Sequence, residues 1–218
     1  MAILPHPQPY SIIQSFNHPI IQSFLNLQNI ILSLDGTYNT NWMSRKLKNS
    51  ELERKTVDEF KATQKYPVYV VLDNVRSLNN VGSAFRTADA FLVQGICLCG
   101  ITACPPHREI HKTALGATDS VEWTYYDHTE QAIEDLQMEG YKIISVEQTE
   151  DKTELTDFKP SPNHKYALVF GHEVKGVQQS IVDMSDMCIE IPQAGTKHSF
   201  NISVSVGIVL YHFYYHLR

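Results

Sequence analysis

The chain has 218 residues, 43% of them apolar and 19% charged, with a formal net charge of −6 at pH 7. That is enough for one good core and an appended segment, and too acidic for a broad nucleic-acid footprint. A local stripe of Lys and Arg can still serve RNA, and Arg45-Lys46-Leu47-Lys48 with Arg54-Lys55 is the candidate, although a solvated helix face explains it equally well.

Residues 1–42 differ from the rest. Ile12-Ile13-Gln14-Ser15-Phe16 recurs as Ile20-Ile21-Gln22-Ser23-Phe24, Asp35 is the one charged residue, and Pro5, Pro7 and Pro9 crowd the start. A repeat occurring twice matches no solenoid period. The segment reads as a poorly structured N-terminal extension of the kind an upstream start codon adds, with Met43 a candidate initiator and 43–218 the domain. No Lys or Arg precedes Arg45, so a secretory signal is not expected.

From there the elements are orderly. Ser50-Glu51-Leu52-Glu53 has the S-x-x-E form of a helix start, with Leu52, Val57 and Phe60 as its apolar stripe. Strands are predicted at 68–72, 96–99, 121–124, 141–146 and 166–170, with an edge or final strand at 187–191. Helices are predicted at 80–91, 128–139, 178–184 and 199–215, and 152–165 reads as a loop. Strands alternating with helices argue for an α/β domain on a parallel sheet. Residues 200–217 are apolar but interrupted by Asn201, Ser203, Ser205, His212 and His216, so the run reads as a buried helix and no membrane span is expected.

Cys97, Cys99, Cys104 and Cys188 form no C-x-x-C pair, and a zinc set of Cys97, Cys99, Cys104 and His107 fits no common ligand spacing. The expectation is no metal and a reducing, cytoplasmic setting.

Three polar stretches interrupt the apolar pattern. The first, Asn80-Val81-Gly82-Ser83-Ala84-Phe85-Arg86, offers Asn80 as a helix cap and Gly82 as a point of close approach. Arg86, beside apolar Ala88, needs a carboxylate, a phosphate or water. The second, Gly171-His172-Glu173-Val174-Lys175-Gly176, is neither G-x-G-x-x-G nor a P-loop, so no dinucleotide or triphosphate site follows. The third runs from Ile191-Pro192-Gln193-Ala194-Gly195 to Ser199-Phe200-Asn201. Ser199 alone reads as a helix cap, whereas Asn201 in an apolar helix has no bland explanation. Each stretch follows a predicted buried strand or opens a helix, where open parallel sheets bind ligands.

In order and content the three resemble the motifs of the SPOUT RNA methyltransferases, specifically the TrmH-type branch. The likeness includes N-V-G-x-x-x-R-T-A-D-A-F, G-x-E-x-x-G and I-P-x-x-G followed by S-x-N, with Lys112-Thr113-Ala114-Leu115-Gly116-Ala117 and Trp123 between them. It covers the chain from Arg45 onward. His172, Val177, Gln193 and Phe200 depart from the usual residues.

The resemblance implies an α/β fold, a mostly parallel sheet flanked by helices with a C-terminal trefoil knot. It implies S-adenosyl-L-methionine as cofactor, RNA as partner (tRNA first, rRNA next) and a homodimer whose active site is completed across the interface. The implied reaction is methyl transfer to a ribose 2′-hydroxyl. Arg86, Asn80, Glu173, Ser199 and Asn201 become the catalytic candidates. Arg86 would stabilise the developing alkoxide, Glu173 would orient Arg86, and Ser199 and Asn201 would fix cofactor or ribose. Leu168, Phe170, Gly171, Gly176, Ile191, Gln193, Gly195 and Phe200 become the cofactor-binding candidates. A catalytically silent RNA-binding protein of the same fold, or a base-nitrogen methyltransferase of the superfamily, stays open.

Overall fold

The computed structural model describes residues 44–218, and the expectation for residues 1–42 lies outside them. The described residues up to Glu53 and those from Arg54 belong to separate units. In the first, the S-x-x-E sequence starts no α-helix. Asn49–Glu51 is a 3-10 turn whose Glu51 carboxylate accepts from the Lys48 amide at 2.6 Å and from the Arg45 guanidinium.

The second unit opens instead on a T-x-x-E box. Thr56 Oγ1 accepts from the Glu59 amide at 3.2 Å and Glu59 Oε2 from the Thr56 amide at 2.8 Å, starting α1 (Val57–Ala62). Then follow β1 (Tyr66–Asp73), α2 (Leu78–Ala90), β2 (Val93–Cys99), α3 (Arg108–Ala114), α4 (Ala117–Ser120) and β3 (Trp123–Tyr126). The chain continues through α5 (Thr129–Met138), β4 (Tyr141–Val146), β5 (Lys152–Glu154) and β6 (Lys165–Phe170). It closes with α6 (Gln179–Met184), β7 (Met187–Glu190) and α7 (Ile202–Leu217).

Every pairing in the seven-stranded sheet is parallel, in the order β3-β2-β1-β6-β4-β7-β5. Two expectations are corrected. The 152–165 segment contributes the edge strand β5, too short and polar to show a period, so β7 is the final strand of the chain but internal in the sheet. The third strand lies at 123–126 rather than 121–124, because Val121 is the buried C-cap of α4.

Strand alternation splits the core between the two sheet faces. Val68, Val70 and Leu72 of β1 join α2 and α7 on one side, while Val71 meets Ala132, Ile133 and Leu136 of α5 and Ile181 of α6 on the other. On that second face α5 and α6 are tied to the sheet by Asp73, fully buried at the end of β1. Its carboxylate accepts from Thr129 Oγ1 (2.6 Å), the Gln178 amide (2.9 Å) and Gln178 Nε2 (2.8 Å), so its burial is compensated. Among the described residues no helix is long and apolar enough to cross a membrane, and no group of three or more His, Cys, Asp or Glu could hold a metal ion.

Candidate active site

The strand order reverses beside β1, the position at which open α/β sheets form a crevice outside their strand ends. The turns after β4, β6 and β7 together line a cleft of about 540 Å³ there, within the usual range for small-molecule sites. Its apolar wall is Val146, Phe170, Ile189, Ile191 and Ile202; its polar groups include Glu147, Glu173, Gln193, Ser199 and Asn201.

The turn after β6 is closed on itself. His172 and Gly176 exchange backbone hydrogen bonds (3.0 and 2.9 Å), and His172 Nδ1 accepts from the Val174 amide at 3.0 Å. Gly176 has φ +70°, and an added Cβ would stand 2.2 Å from Glu147 Oε2. No other residue type fits both constraints. Glu147 was missed from sequence. It follows β4, lines the cleft and accepts from the Val177 amide at 2.9 Å, latching the β6 turn to β4. Its signal was available: it is the first charged residue after a buried parallel strand. Gln148 extends the latch, its Nε2 donating to the His198 carbonyl of the third motif at 2.9 Å.

Within its own chain Glu173 is engaged by groups other than Arg86. Its carboxylate accepts from the Arg76 amide (3.1 Å), the Ser77 amide (2.9 Å) and Asn80 Nδ2 (3.0 Å), all at the start of α2. That is the positive end of the helix, where a carboxylate is stabilised. Burial pushes this carboxyl up, but the amide donors together outweigh it and hold it below the ordinary 4.5.

Ser77, not Asn80, is the cap of α2; its hydroxyl accepts from the Asn80 amide. Asn80 is thus free to bridge, and its Oδ1 accepts from Asn201 Nδ2 at 3.3 Å. Asn201, not Ser199, caps α7, with Oδ1 accepting from the Ser203 amide (2.9 Å) and hydroxyl (2.6 Å). The three motifs are therefore joined through Glu173, Asn80 and Asn201. Asn201→Ala is expected to cost about 1 kcal/mol in urea denaturation, whereas Asn201→Asp keeps the cap and loses only the bridge. An equal loss in both variants would contradict this division.

Phe170, Gly171, Gly176, Ile191, Gln193 and Phe200 line the cleft with Glu173, Ser199 and Asn201. Leu168 lies wholly inside β6, and Gly195 stands in the exposed third-motif loop, outside the lining. Arg86 is also outside it: exposed on α2, it forms no hydrogen bond or ion pair among the described residues.

Residues 67–211 match the model of the SpoU rRNA Methylase family. The chain is 29% identical over 188 residues to the 23S rRNA (guanosine-2′-O-)-methyltransferase RlmB of Haemophilus influenzae, covering 86% of this chain and 76% of that one. Among solved structures it resembles the AdoMet-bound rRNA methyltransferase of Sinorhizobium meliloti, with TM-score 0.65 and 26% identity over 73% of this chain and 60% of that one. The TrmH/SpoU tRNA modifying enzyme of A. aeolicus shares the fold at TM-score 0.65 and 23% identity, with 73% and 81% covered.

Proposed function

The chain belongs to the SpoU rRNA methylase family, and on that premise we propose that it methylates a ribose 2′-hydroxyl of RNA with S-adenosyl-L-methionine. The observation that carries the reading is the cleft assembled by the turns after β4, β6 and β7, with motif residues from separate parts of the chain hydrogen-bonded beside it.

The cleft suits this cofactor chemically. The apolar wall accepts a flat adenine, and the Glu147 and Glu173 carboxylates set negative charge near a cationic ligand. Phe170, Ile191 and the Gly171–Gly176 turn would hold it, with Ser199 and Asn201 at the polar side. When bound, it supplies a methyl group already activated on a sulfonium. The residues then need only orient a ribose oxygen and stabilise the charge that develops as its proton leaves. Arg86 is the group assigned to that oxygen: permanently charged, it suits phosphate and alkoxide and is a poor literal base.

Because Arg86 stands outside its own chain's cleft, it serves the cleft of a second copy in this reading. α7 offers the face for that copy. Val204, Tyr211 and Tyr215 are 47%, 57% and 53% exposed, and with half-buried Ile208 they follow a heptad-like spacing. The threaded C-terminal knot of the superfamily belongs to the same inference, with the 191–201 connection as the segment that crosses. A cytoplasmic setting fits the free cysteines, of which Cys97 is pushed up to about 12 by burial.

Relatives named for guanosine-2′-O methylation of 23S rRNA favour rRNA ahead of tRNA as substrate. Mapping ribose methylation in RNA from cells with and without the gene tests the reading. One lost 2′-O-methyl site, restored by purified protein, is the expected result. Methyl on a base nitrogen, or none despite cofactor binding, would replace it. Mixed dimers of an Arg86→Ala chain and a cleft-disabled chain should regain activity that neither homodimer has.

A further inference from the structure

Beside α2 runs a second polar surface that the cleft does not use. α3 packs on α2 at Gly82, where an added Cβ would lie 2.1 Å from Thr113 Oγ1 and 2.3 Å from the Ile110 carbonyl. The Thr113 hydroxyl donates to the Asn79 carbonyl at 3.2 Å, and farther on Ser120 donates to Asp89. Residues 113–120 therefore follow α2 from Asn79 to Asp89. Leu115 falls between these two anchors in the chain, as Arg86 falls between Asn79 and Asp89 on α2.

Ile110 and Ala114 are buried and define the inner face of α3. Arg108 and Lys112, at i and i+4, share the outer one, and exposed Leu115 follows at the helix end. Leu115 is 66% exposed and left-handed, with φ 51° and ψ 42°. A glycine or asparagine ordinarily fills such a helix-end position, because a larger side chain is strained there. Nothing in the chain's own core offsets that strain, since most of the leucine faces solvent.

The surroundings are basic in an acidic protein. Residues 74–116 carry Arg76, Arg86, Arg108 and Lys112 against only Asp89 and Glu109, in a chain of net charge −6. All four cations are exposed. Asp89 is engaged by Ser120, and Glu109 lies 3.8 Å from Lys112. Arg86 apart, which the ribose-methylation reading assigns to a second copy's cleft, the α7 face of that copy offers Arg108 and Lys112 no acidic residue, because residues 202–217 contain none. A phosphate backbone with unstacked bases meets both the charge and the apolar tip.

We propose that the outer face of α3 is an RNA-docking strip beside Arg86. Arg108 and Lys112 take phosphates flanking the target, and Leu115 packs against the unstacked target nucleotide and holds its ribose at Arg86. The strip rests on the ribose-methylation reading and names the surface and substrate form that it needs: a single-stranded or looped-out nucleotide.

The test uses full-length protein, a fluorescent RNA hairpin with an unpaired loop, and total RNA from cells lacking the gene as methyl acceptor. Arg108→Ala with Lys112→Ala should flatten the salt dependence of hairpin binding, reducing its log–log slope by about 1.5. Leu115→Gly should raise the thermal midpoint by relieving the strain, yet lower methyl transfer about 10-fold, the scale of one lost apolar contact. Cofactor affinity and oligomeric state should stay as in wild type. A fall in both midpoint and activity would make Leu115 a structural residue, and dissociation of the dimer would make it a subunit contact; either overturns the strip. If wild type methylates RNA and the variants match it, the strip fails and the ribose reading stands. If the hairpin slope depends on the strip but no methyl is transferred, the strip stands and the ribose reading fails. Wild-type protein that binds no RNA overturns both.

Discussion

Arg86→Lys is expected to lower methyl transfer about 100- to 1000-fold while leaving folding and cofactor binding unchanged. The side chain is exposed and makes no hydrogen bond or ion pair among the described residues, so the fold does not depend on it. Surface changes of this kind usually stay within about 0.5 kcal/mol. Lysine keeps the positive charge, so attraction to phosphate survives. What it loses is the planar fork that presents two N–H groups to one site at fixed geometry. The defect should therefore appear in single-turnover rates at saturating RNA and cofactor, not in either dissociation constant. Near-normal turnover with unchanged RNA affinity would remove Arg86 from the reacting oxygen. A parallel loss of RNA affinity would make it a phosphate anchor only.

The central strands β1, β2, β4 and β6 were legible because they are largely buried and read as apolar runs, unlike β3 and β5. Tyr141–Val146 has the predicted bounds, and the strands centred on Val70 and Leu168 differ only at their ends. Hydrogen-bond chemistry at element ends was not legible. S-x-x-E and T-x-x-E occur six residues apart, and only Thr56 and Glu59 close the reciprocal box that starts a helix. Asn80 and Asn201 look like cap and anomaly in one dimension. In three dimensions Ser77 is the cap of α2, Asn201 is the cap of α7, and the two asparagine amides meet. Glu147 belongs to no motif, yet it braces Gly176 from 29 positions away in the chain, a contact that no local pattern encodes. Within one chain Glu173 has other partners than Arg86, for the same reason. The nearest donors to this half-buried carboxylate were the orphan amides of a helix start, which the sequence does not display.

Those amides make Glu173→Gln the most informative change in the cleft itself. The substitution keeps the shape and replaces one acceptor oxygen with a donor, so the Arg76 or Ser77 amide is left facing another N–H group. Hydrogen bonds to a charged partner contribute about 1.5–3 kcal/mol, so cofactor affinity should fall about 10- to 100-fold as the β6 turn loosens. A pH signature separates this from simple misfolding. The Glu173 carboxyl is held below 4.5 in the folded protein, so its stabilisation is fully present above that value and is lost as pH falls through the lower folded one. The difference in thermal midpoint between wild type and Glu173→Gln should be constant above about pH 5 and should shrink as pH drops below about 4.5. A difference that ignores pH would mean that the ionised carboxylate is not what joins the second motif to the first.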